Sequence, residues 1–153
     1  MNAAEFQSWL QTAIPVYAAE KVASGHWSKD TAEEMSRKEH EELLPQGIAS
    51  DGNHFFIILD SGDQAVGVLW FAVKLKVGLP IAYVFNVEIQ PEHRRKGHAR
   101  RAFEDLENEV ASLGLHGIAL HVFGHNTAGR ALYASLGYEA TNINLFKHVC
   151  AGA

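Results

Sequence analysis

The spacing of apolar residues divides the chain into a helical beginning and a strand-rich middle. In residues 1–45 the apolar side chains recur at roughly helical intervals, and Gly25 interrupts the repeat. The second helix is predicted to begin with Ser28 as its N-cap and to end before Pro45. Residues 54–89 then hold three short apolar runs separated by tight turns, a pattern that predicts an antiparallel meander.

The later part of the chain alternates helices with strands. One apolar stripe at helical spacing predicts a helix over residues 97–113, and it consists of Ala99, Ala102, Phe103, Leu106, Val110 and Leu113. Beyond Gly114, residues 117–123 predict a strand, and a short helix is expected between Asn126 and Gly137. Residues 138–149 predict a final strand or a bent pair of strands.

The composition narrows the class of protein. A chain of 153 residues with 47% hydrophobic and 20% charged residues has the size of one globular domain with its own core. Its first residues lack the pattern of a secretory signal, and no apolar run approaches the ~18 residues of a membrane span. A soluble, cytoplasmic protein without membrane contact is therefore expected. Cys150 is the single cysteine, which excludes an intrachain disulfide.

Charge is unevenly distributed along the chain. Acids outnumber bases by 11 to 4 in residues 1–63, whereas five cations cluster between Arg94 and Arg101 around Gly97. This cluster lies where a strand is predicted to turn into a helix, so the first N–H groups of that helix have no acceptor within it. Those N–H groups, the helix dipole and the cations together predict a cradle for a diphosphate. A grip on nucleic-acid phosphates is the alternative, although no aromatic residues are interleaved with the cations.

Two motifs in the correct order carry a family resemblance. Residues 94–99, "RRKGHA", match the pattern [QR]-x-x-G-x-[GA], and residues 121–140, "HVFGHNTAGRALYASLGYEA", match a later block in which an Asn opens a helix that closes with LY-x-x-x-G-[FY]. The chain thus resembles the GNAT superfamily of acetyl-CoA-dependent N-acetyltransferases. It is most similar to the small bacterial members of the ribosomal-protein-alanine-acetyltransferase type.

The resemblance implies a single α/β (α+β) domain over residues 1–153. Its central sheet is expected to be mixed, mostly antiparallel and twisted, with about six or seven strands flanked by helices. Residues 1–45 would form a helical acceptor-side region and residues 54–149 the sheet and cofactor-binding core. The implied reaction transfers acetyl from acetyl-CoA to a primary amine by direct attack in a ternary complex. The amine would be a peptide N-terminus, a lysine or a small amine, and the protein would be a monomer or a homodimer.

The resemblance also implies which residues hold the cofactor. Main-chain groups at the end of a strand would bind the pantetheine arm, the amides of Arg95 to Arg100 would hold the pyrophosphate, and Asn126 would contact the pantetheine side. The full implied set is Val87, Glu88, Ile89, Arg94, Arg95, Lys96, Gly97, His98, Ala99, Arg100, Asn126 and Tyr133.

Three residues are candidates for the acid–base chemistry. Tyr133 would protonate the departing thiolate of coenzyme A, a transfer between groups of comparable basicity. The general base is open between Glu88 and His121, and an amine that arrives neutral would need only a water chain. Period-two alternation predicts that Glu88 shares a strand face with Asn86 and Val84.

Acceptor recognition is expected in the first half of the chain and on the strand that precedes the basic cluster. Trp27, Tyr83 and Asn86 are the candidate substrate-binding residues, and the acid-rich second helix would attract an amine. No metal site is expected, because the nine histidines lack the companions and spacing of ligand sets. Two alternatives remain at this point, a non-catalytic acyl-CoA sensor and a nucleic-acid-binding module.

Overall fold

The computed structural model describes residues 1–151, in which four helices surround a four-stranded sheet. The helices are α1 (Ala3–Ala23), α2 (Ala32–Leu43), α3 (His98–Ser112) and α4 (Thr127–Ser135). The strands are β1 (Asn53–Leu59), β2 (Ala65–Lys76), β3 (Leu79–Ile89) and β4 (Ile118–Leu120). Single 3₁₀ turns at Gly47–Ala49 and Pro91–His93 lead into β1 and follow β3. Within residues 1–151, no helix is long and apolar enough to cross a bilayer.

The helix boundaries follow from local hydrogen bonding. Asn2 and Glu5 form a reciprocal capping box that starts α1. The prediction that Ser28 caps the second helix is wrong, because α2 begins four residues later at Ala32. The Ser28 hydroxyl accepts from the Asp30 amide at 3.4 Å and its carbonyl accepts from the Thr31 amide at 3.3 Å. Ser28 therefore closes a turn ahead of the helix.

The sheet has the order β1-β2-β3-β4. The first three strands form the predicted antiparallel meander. Strand β4 follows the α3 crossover and pairs in parallel with β3, but only over Ala82 to Val84. The prediction of six or seven strands is wrong: residues 1–151 form a sheet of four, which is mixed because β4 pairs in parallel with β3. Residues 139–151 adopt no regular structure and lie exposed, because they have no strand beside them.

Each face of the sheet has its own hydrophobic core. Phe71 and Phe103, both fully buried, anchor the core between the sheet and α3. On the other face Phe6, Trp9 and Trp70 form an aromatic core between the sheet and α1. The second helix packs on α1 through the buried Ser36 hydroxyl, which donates to the Ile14 carbonyl at 2.7 Å. The two faces are therefore covered by different layers, α1–α2 and α3–α4.

One extra residue in β3 changes which side chains face which layer. Trp70 lies opposite Asn86, but the next residue of β2, Phe71, lies opposite Val84. Phe85 is thus the additional residue of a β-bulge. Val84 packs into the α3 core, whereas the Phe85 ring stacks on Trp70 with the ring centroids 4.6 Å apart. The predicted alternation of Val84 with Asn86 on one face is therefore wrong, because the bulge interrupts the period of two.

Candidate active site

Strands β3 and β4 separate after three paired residues, which leaves one edge of β3 open. Among the described residues, no strand pairs with that edge beyond Val84. The Gln90 amide donates to the Val66 carbonyl of β2 at 2.8 Å. Because alternate residues of a strand point their backbone groups to opposite edges, those of Val87 and Ile89 point toward the opening. The opening is a wedge with backbone groups of β3 on one wall that pair with no other strand, and the Ile89 carbonyl among them accepts from the Arg94 Nε.

The turn between β3 and α3 presents a row of backbone amides. Within residues 1–151, the N–H groups of residues 95–100 have no acceptor, and no side chain caps the start of α3. Arg95 and Gly97 adopt left-handed conformations, with φ of 61° and 82°. Such a conformation turns successive N–H groups toward a common concavity, the arrangement known as an anion-binding nest. The α3 dipole adds positive potential at the same place.

The space beside Gly97, in the middle of this amide row, is open. A β-carbon added at Gly97 would meet no other atom within 4 Å. The row, its positive potential and this space fit a diphosphate group, and the adjacent wedge fits an extended chain with amide groups, as in the pantetheine arm of acetyl-CoA.

The cations of the cluster have different surroundings. The Arg94 Nε donates to the Ile89 carbonyl at 2.9 Å, and the Arg100 Nη2 donates to the Ser135 hydroxyl of α4 at 2.6 Å. The predicted cofactor residues Arg94 and Arg100 thus have side chains that brace β3 and α4. Arg95 and Lys96 are exposed. His98 is buried and lies 3.1 Å from the Arg101 guanidinium.

The two predicted residues of the last helix occupy different positions. Asn126 caps α4, because its side-chain oxygen accepts from the Gly129 amide at 2.9 Å. Tyr133 is half-buried, with its ring edge-on to Phe103 at a centroid distance of 5.3 Å. Its hydroxyl has no hydrogen-bond partner among the described residues. Burial raises the pKa of Tyr133, so the phenol stays protonated at neutral pH.

The two candidate bases lie on the two strands that border the opening, Glu88 on β3 and His121 just after β4. Glu88 is half-buried on β3 opposite Val68, which packs against the α1 core, so Glu88 faces the α1–α2 layer. His121 follows β4 directly and its ring lies edge-on to Phe123 at 4.8 Å. Desolvation, and then the nearby Lys21 and His26, lower the pKa of His121. Its imidazole is therefore predominantly neutral at pH 7.

A cavity of about 430 Å³ opens between the first two helices and β3. Aromatic and acidic side chains dominate its wall, which comprises Ala13, Tyr17, Glu39, His40, Glu42, Leu43, Trp70, Phe85 and Asn86. The Asn86 side-chain oxygen is buried without a hydrogen-bond partner. Burial, and then the Glu39 carboxylate, hold the pKa of Tyr17 far above its ordinary value. This acidic aromatic cavity suits a cation with an apolar body.

Of the three predicted substrate residues, one lines this cavity and two contact residues of its wall. Asn86 lines it directly. Tyr83 lies edge-on to Phe85 at 5.0 Å, and Trp27 lies edge-on to Tyr17 at 5.6 Å. The Lys21 ammonium stands 5.3 Å from the centroid of the Trp27 ring.

Sequence reasoning missed Tyr17 and Phe85 as members of this wall, whereas Glu39 belongs to the acid-rich second helix that was expected to attract an amine. No local signal marks Phe85, because only the bulge directs it to this face. For metals, no three His, Cys, Asp or Glu side chains come together as a ligand set anywhere in residues 1–151.

Comparisons with known proteins agree with this geometry. The model of the acetyltransferase (GNAT) family matches residues 16–138. The uncharacterised N-acetyltransferase YycN of Bacillus subtilis is 30% identical over 96% of this chain and 94% of its own length. Its crystal structure superposes with a TM-score of 0.93 over 99% of this chain and 96% of that one.

A relative that aligns with only half of the chain has a defined activity. The [ribosomal protein bS18]-alanine N-acetyltransferase of Escherichia coli is 36% identical over 48% of this chain and 49% of its own length. The family model covers most of the chain, and the alignment with YycN extends over nearly its whole length. The chain therefore belongs to the GNAT family and is an N-acetyltransferase.

Proposed function

We propose that this protein transfers an acetyl group from acetyl-CoA to a primary amine by direct attack in a ternary complex. The observation that carries the proposal is the row of six unpaired amides at residues 95–100 beside the open edge of β3. The acetyl thioester supplies an activated acyl group, and the residues below bind the reactants and move protons.

Cofactor binding would use backbone groups before side chains. The amides of residues 95–100 would hold the diphosphate, and the backbone groups of Val87 and Ile89 would bind the pantetheine arm as an added strand. Arg95 and Lys96 would contribute positive potential, while the Asn126 side-chain nitrogen is free to donate toward the arm. Gly97 would let the diphosphate approach the backbone closely.

Proton transfer would use two different groups, an acid for the departing thiolate and a base for the attacking amine. Tyr133 would donate its phenolic proton to the departing thiolate, because burial keeps the phenol protonated and no described residue holds its hydroxyl in a competing hydrogen bond. His121 or Glu88 would accept the proton of the attacking amine, directly or through water. The lowered pKa of His121 supports it as a base at neutral pH.

The acceptor amine would bind in the acidic aromatic cavity. Glu39 and Glu42 would attract the ammonium form, the rings of Tyr17 and Phe85 would contact its apolar part, and the orphan Asn86 oxygen would accept a hydrogen bond from it. Phe85 and Asn86 of β3 line the cavity and lie just beyond the last residue that pairs with β4, so the amine and the thioester would meet between β3 and β4. A peptide N-terminus, a lysine or a small amine would satisfy this chemistry.

A thermal shift measurement tests cofactor binding. At 100 times its dissociation constant, a ligand that binds only the folded state adds about 2.7 kcal/mol, which corresponds to roughly 5–10 °C in a domain of this size. We expect such a rise with acetyl-CoA and none with acetate. An unmoved melting curve at saturating acetyl-CoA contradicts the proposal. Release of free thiol in the presence of an amine panel then identifies the acceptor class.

A further inference from the structure

The C-terminal segment has the pattern of a strand but no partner. Beyond Ala140, apolar Ile143 and Leu145 alternate with Asn142 and Asn144, and the two apolar side chains are 75% and 91% exposed. Such alternation is typical of a strand with one buried face. The alternation ends at Phe146, which is 90% exposed and is followed by Lys147. We define residues 141–149 as the tail.

Within residues 1–151, no strand or helix packs on the free edge of β4 or on the outer face of α4. Strand β4 pairs on one side only, with β3, and its three residues are half-buried. Helix α4, which packs beside it, has no buried residue at all. A groove of about 450 Å³ runs between the end of α3, the start of β4 and the end of α4, with apolar walls that include Val110, Leu115, Ile118, Leu136 and Tyr138. The Tyr138 hydroxyl is buried there without a partner.

We propose that the tail of one copy adds a strand to the free edge of β4 in a second copy, and that the exchange is reciprocal. Every copy carries both an unpaired strand and an unpaired edge, which together make a self-complementary, two-fold interface. The tail leaves Tyr138 at the groove and is exposed throughout, so it does not cover its own β4. At ~3.3 Å per residue its nine residues span roughly 30 Å, enough to follow β4 and the loop beyond it.

Charge supports a second copy as the partner. Glu107 and Glu139 line the groove, and the tail carries Lys147. Pairing the tail with β4 would cover the apolar side chains of α4 with Ile143 and Leu145. The partner is therefore expected to supply the missing layer over α4, the helix that holds Tyr133.

Light scattering coupled to size exclusion tests the exchange. We expect twice the chain mass for the wild type and a single chain mass for Leu145→Asp. The matched control is Leu75→Asp, because Leu75 is also exposed, at 75%, in extended chain at the far end of β2. It should keep the dimer. A monomeric wild type, or a Leu145→Asp variant that remains dimeric, overturns the proposal.

A nitroxide label on Cys150, the only cysteine, gives a second readout. The label should be immobilised in the wild type and mobile in Leu145→Asp. Both proteins should retain the acetyl-CoA thermal shift. A label that is mobile in the wild type also overturns the exchange. Loss of the acetyl-CoA shift in every variant, including the wild type, would instead contradict cofactor binding, so the two proposals fail separately.

Discussion

At the scale of single residues, Tyr133 is the candidate general acid. Its ring lies edge-on to Phe103, which fixes where the phenol sits. Burial raises its pKa, so the phenol is protonated at neutral pH and donates its proton only to a strongly basic group such as a thiolate. A phenylalanine at this position would keep the ring contacts and lose only the proton.

Tyr133→Phe is therefore expected to lower kcat by roughly 10²- to 10⁴-fold, the usual contribution of a positioned proton donor. The dissociation constant for acetyl-CoA should stay at its wild-type value, because the cradle at residues 95–100 is untouched. Steady-state kinetics and calorimetric titration measure the two quantities. An unchanged kcat would exclude Tyr133 as the acid.

His121 allows a prediction about pH. Its pKa is lowered by desolvation and then by Lys21 and His26, so the neutral base form persists below pH 6.5. If His121 is the base, kcat/KM rises with pH through a midpoint below 6.5 and then levels off. The Lys21→Gln variant removes one of the lowering charges and should move that midpoint to higher pH.

The variant His121→Gln separates the two candidate bases. Loss of the acid limb together with a lower plateau would identify His121 as the base. A profile that keeps its limb at the wild-type midpoint would point to Glu88 or to another group. The pH dependence of kcat/KM is the appropriate measurement because it reports groups of the free enzyme.

At the scale of elements, the start of α3 is the feature on which the proposed cofactor binding depends. Gly97 and Gly114 lie at opposite ends of this helix, both with left-handed φ, 82° and 72°, and neither would place a β-carbon within 4 Å of another atom. Alanine at either position should cost about 1–2 kcal/mol of folding free energy. Only Gly97 borders the amide row.

Gly97→Ala should consequently weaken acetyl-CoA binding by roughly 10-fold or more, equivalent to at least ~1.4 kcal/mol, whereas Gly114→Ala should leave the affinity unchanged. Denaturant unfolding measures the shared loss of stability, and titration measures the affinity of each variant. Equal affinities in the two variants would place the diphosphate elsewhere.

The sequence predicted most elements because their patterns are local. The three meander strands, α3 and α4 follow from periodicity and from Gly and Pro at their ends. The bulge at Phe85 could not be predicted, since no residue in "YVFNVEI" marks an insertion and the register depends on β2. The final strand was predicted from the alternation of apolar and polar residues over 142–145. Residues 139–151 form no strand because they pair with no other strand of the same chain.

At the scale of the whole molecule, the acceptor cavity depends on packing between distant segments. Tyr17, Glu39 and Phe85 meet there from α1, α2 and β3. The motif predicted a row of unpaired amides because six successive residues form it, whereas the proposed acceptor side is assembled from separate elements. This is why the sequence indicated the amide row residue by residue and the cavity only in part.

Glu39→Gln tests the cavity as a site for a cationic amine. Removing the carboxylate should raise the KM for the amine about 10-fold, equivalent to ~1.4 kcal/mol, with little change in the KM for acetyl-CoA. Glu41→Gln is the matched control, because Glu41 lies on the same helix, is exposed and does not line the cavity. Equal amine KM values in both variants would move the acceptor to another surface.

The early parting of β3 and β4 has a consequence for local motion. The amide hydrogens of Val87 and Ile89 face the wedge, where no neighbouring strand protects them. Hydrogen–deuterium exchange at these two positions should be fast in the free enzyme, although they belong to a central strand, and slow once a ligand bridges the gap. The edge of β3 beyond Val84 is thus left unpaired, and a bound ligand would be the strand that pairs with it.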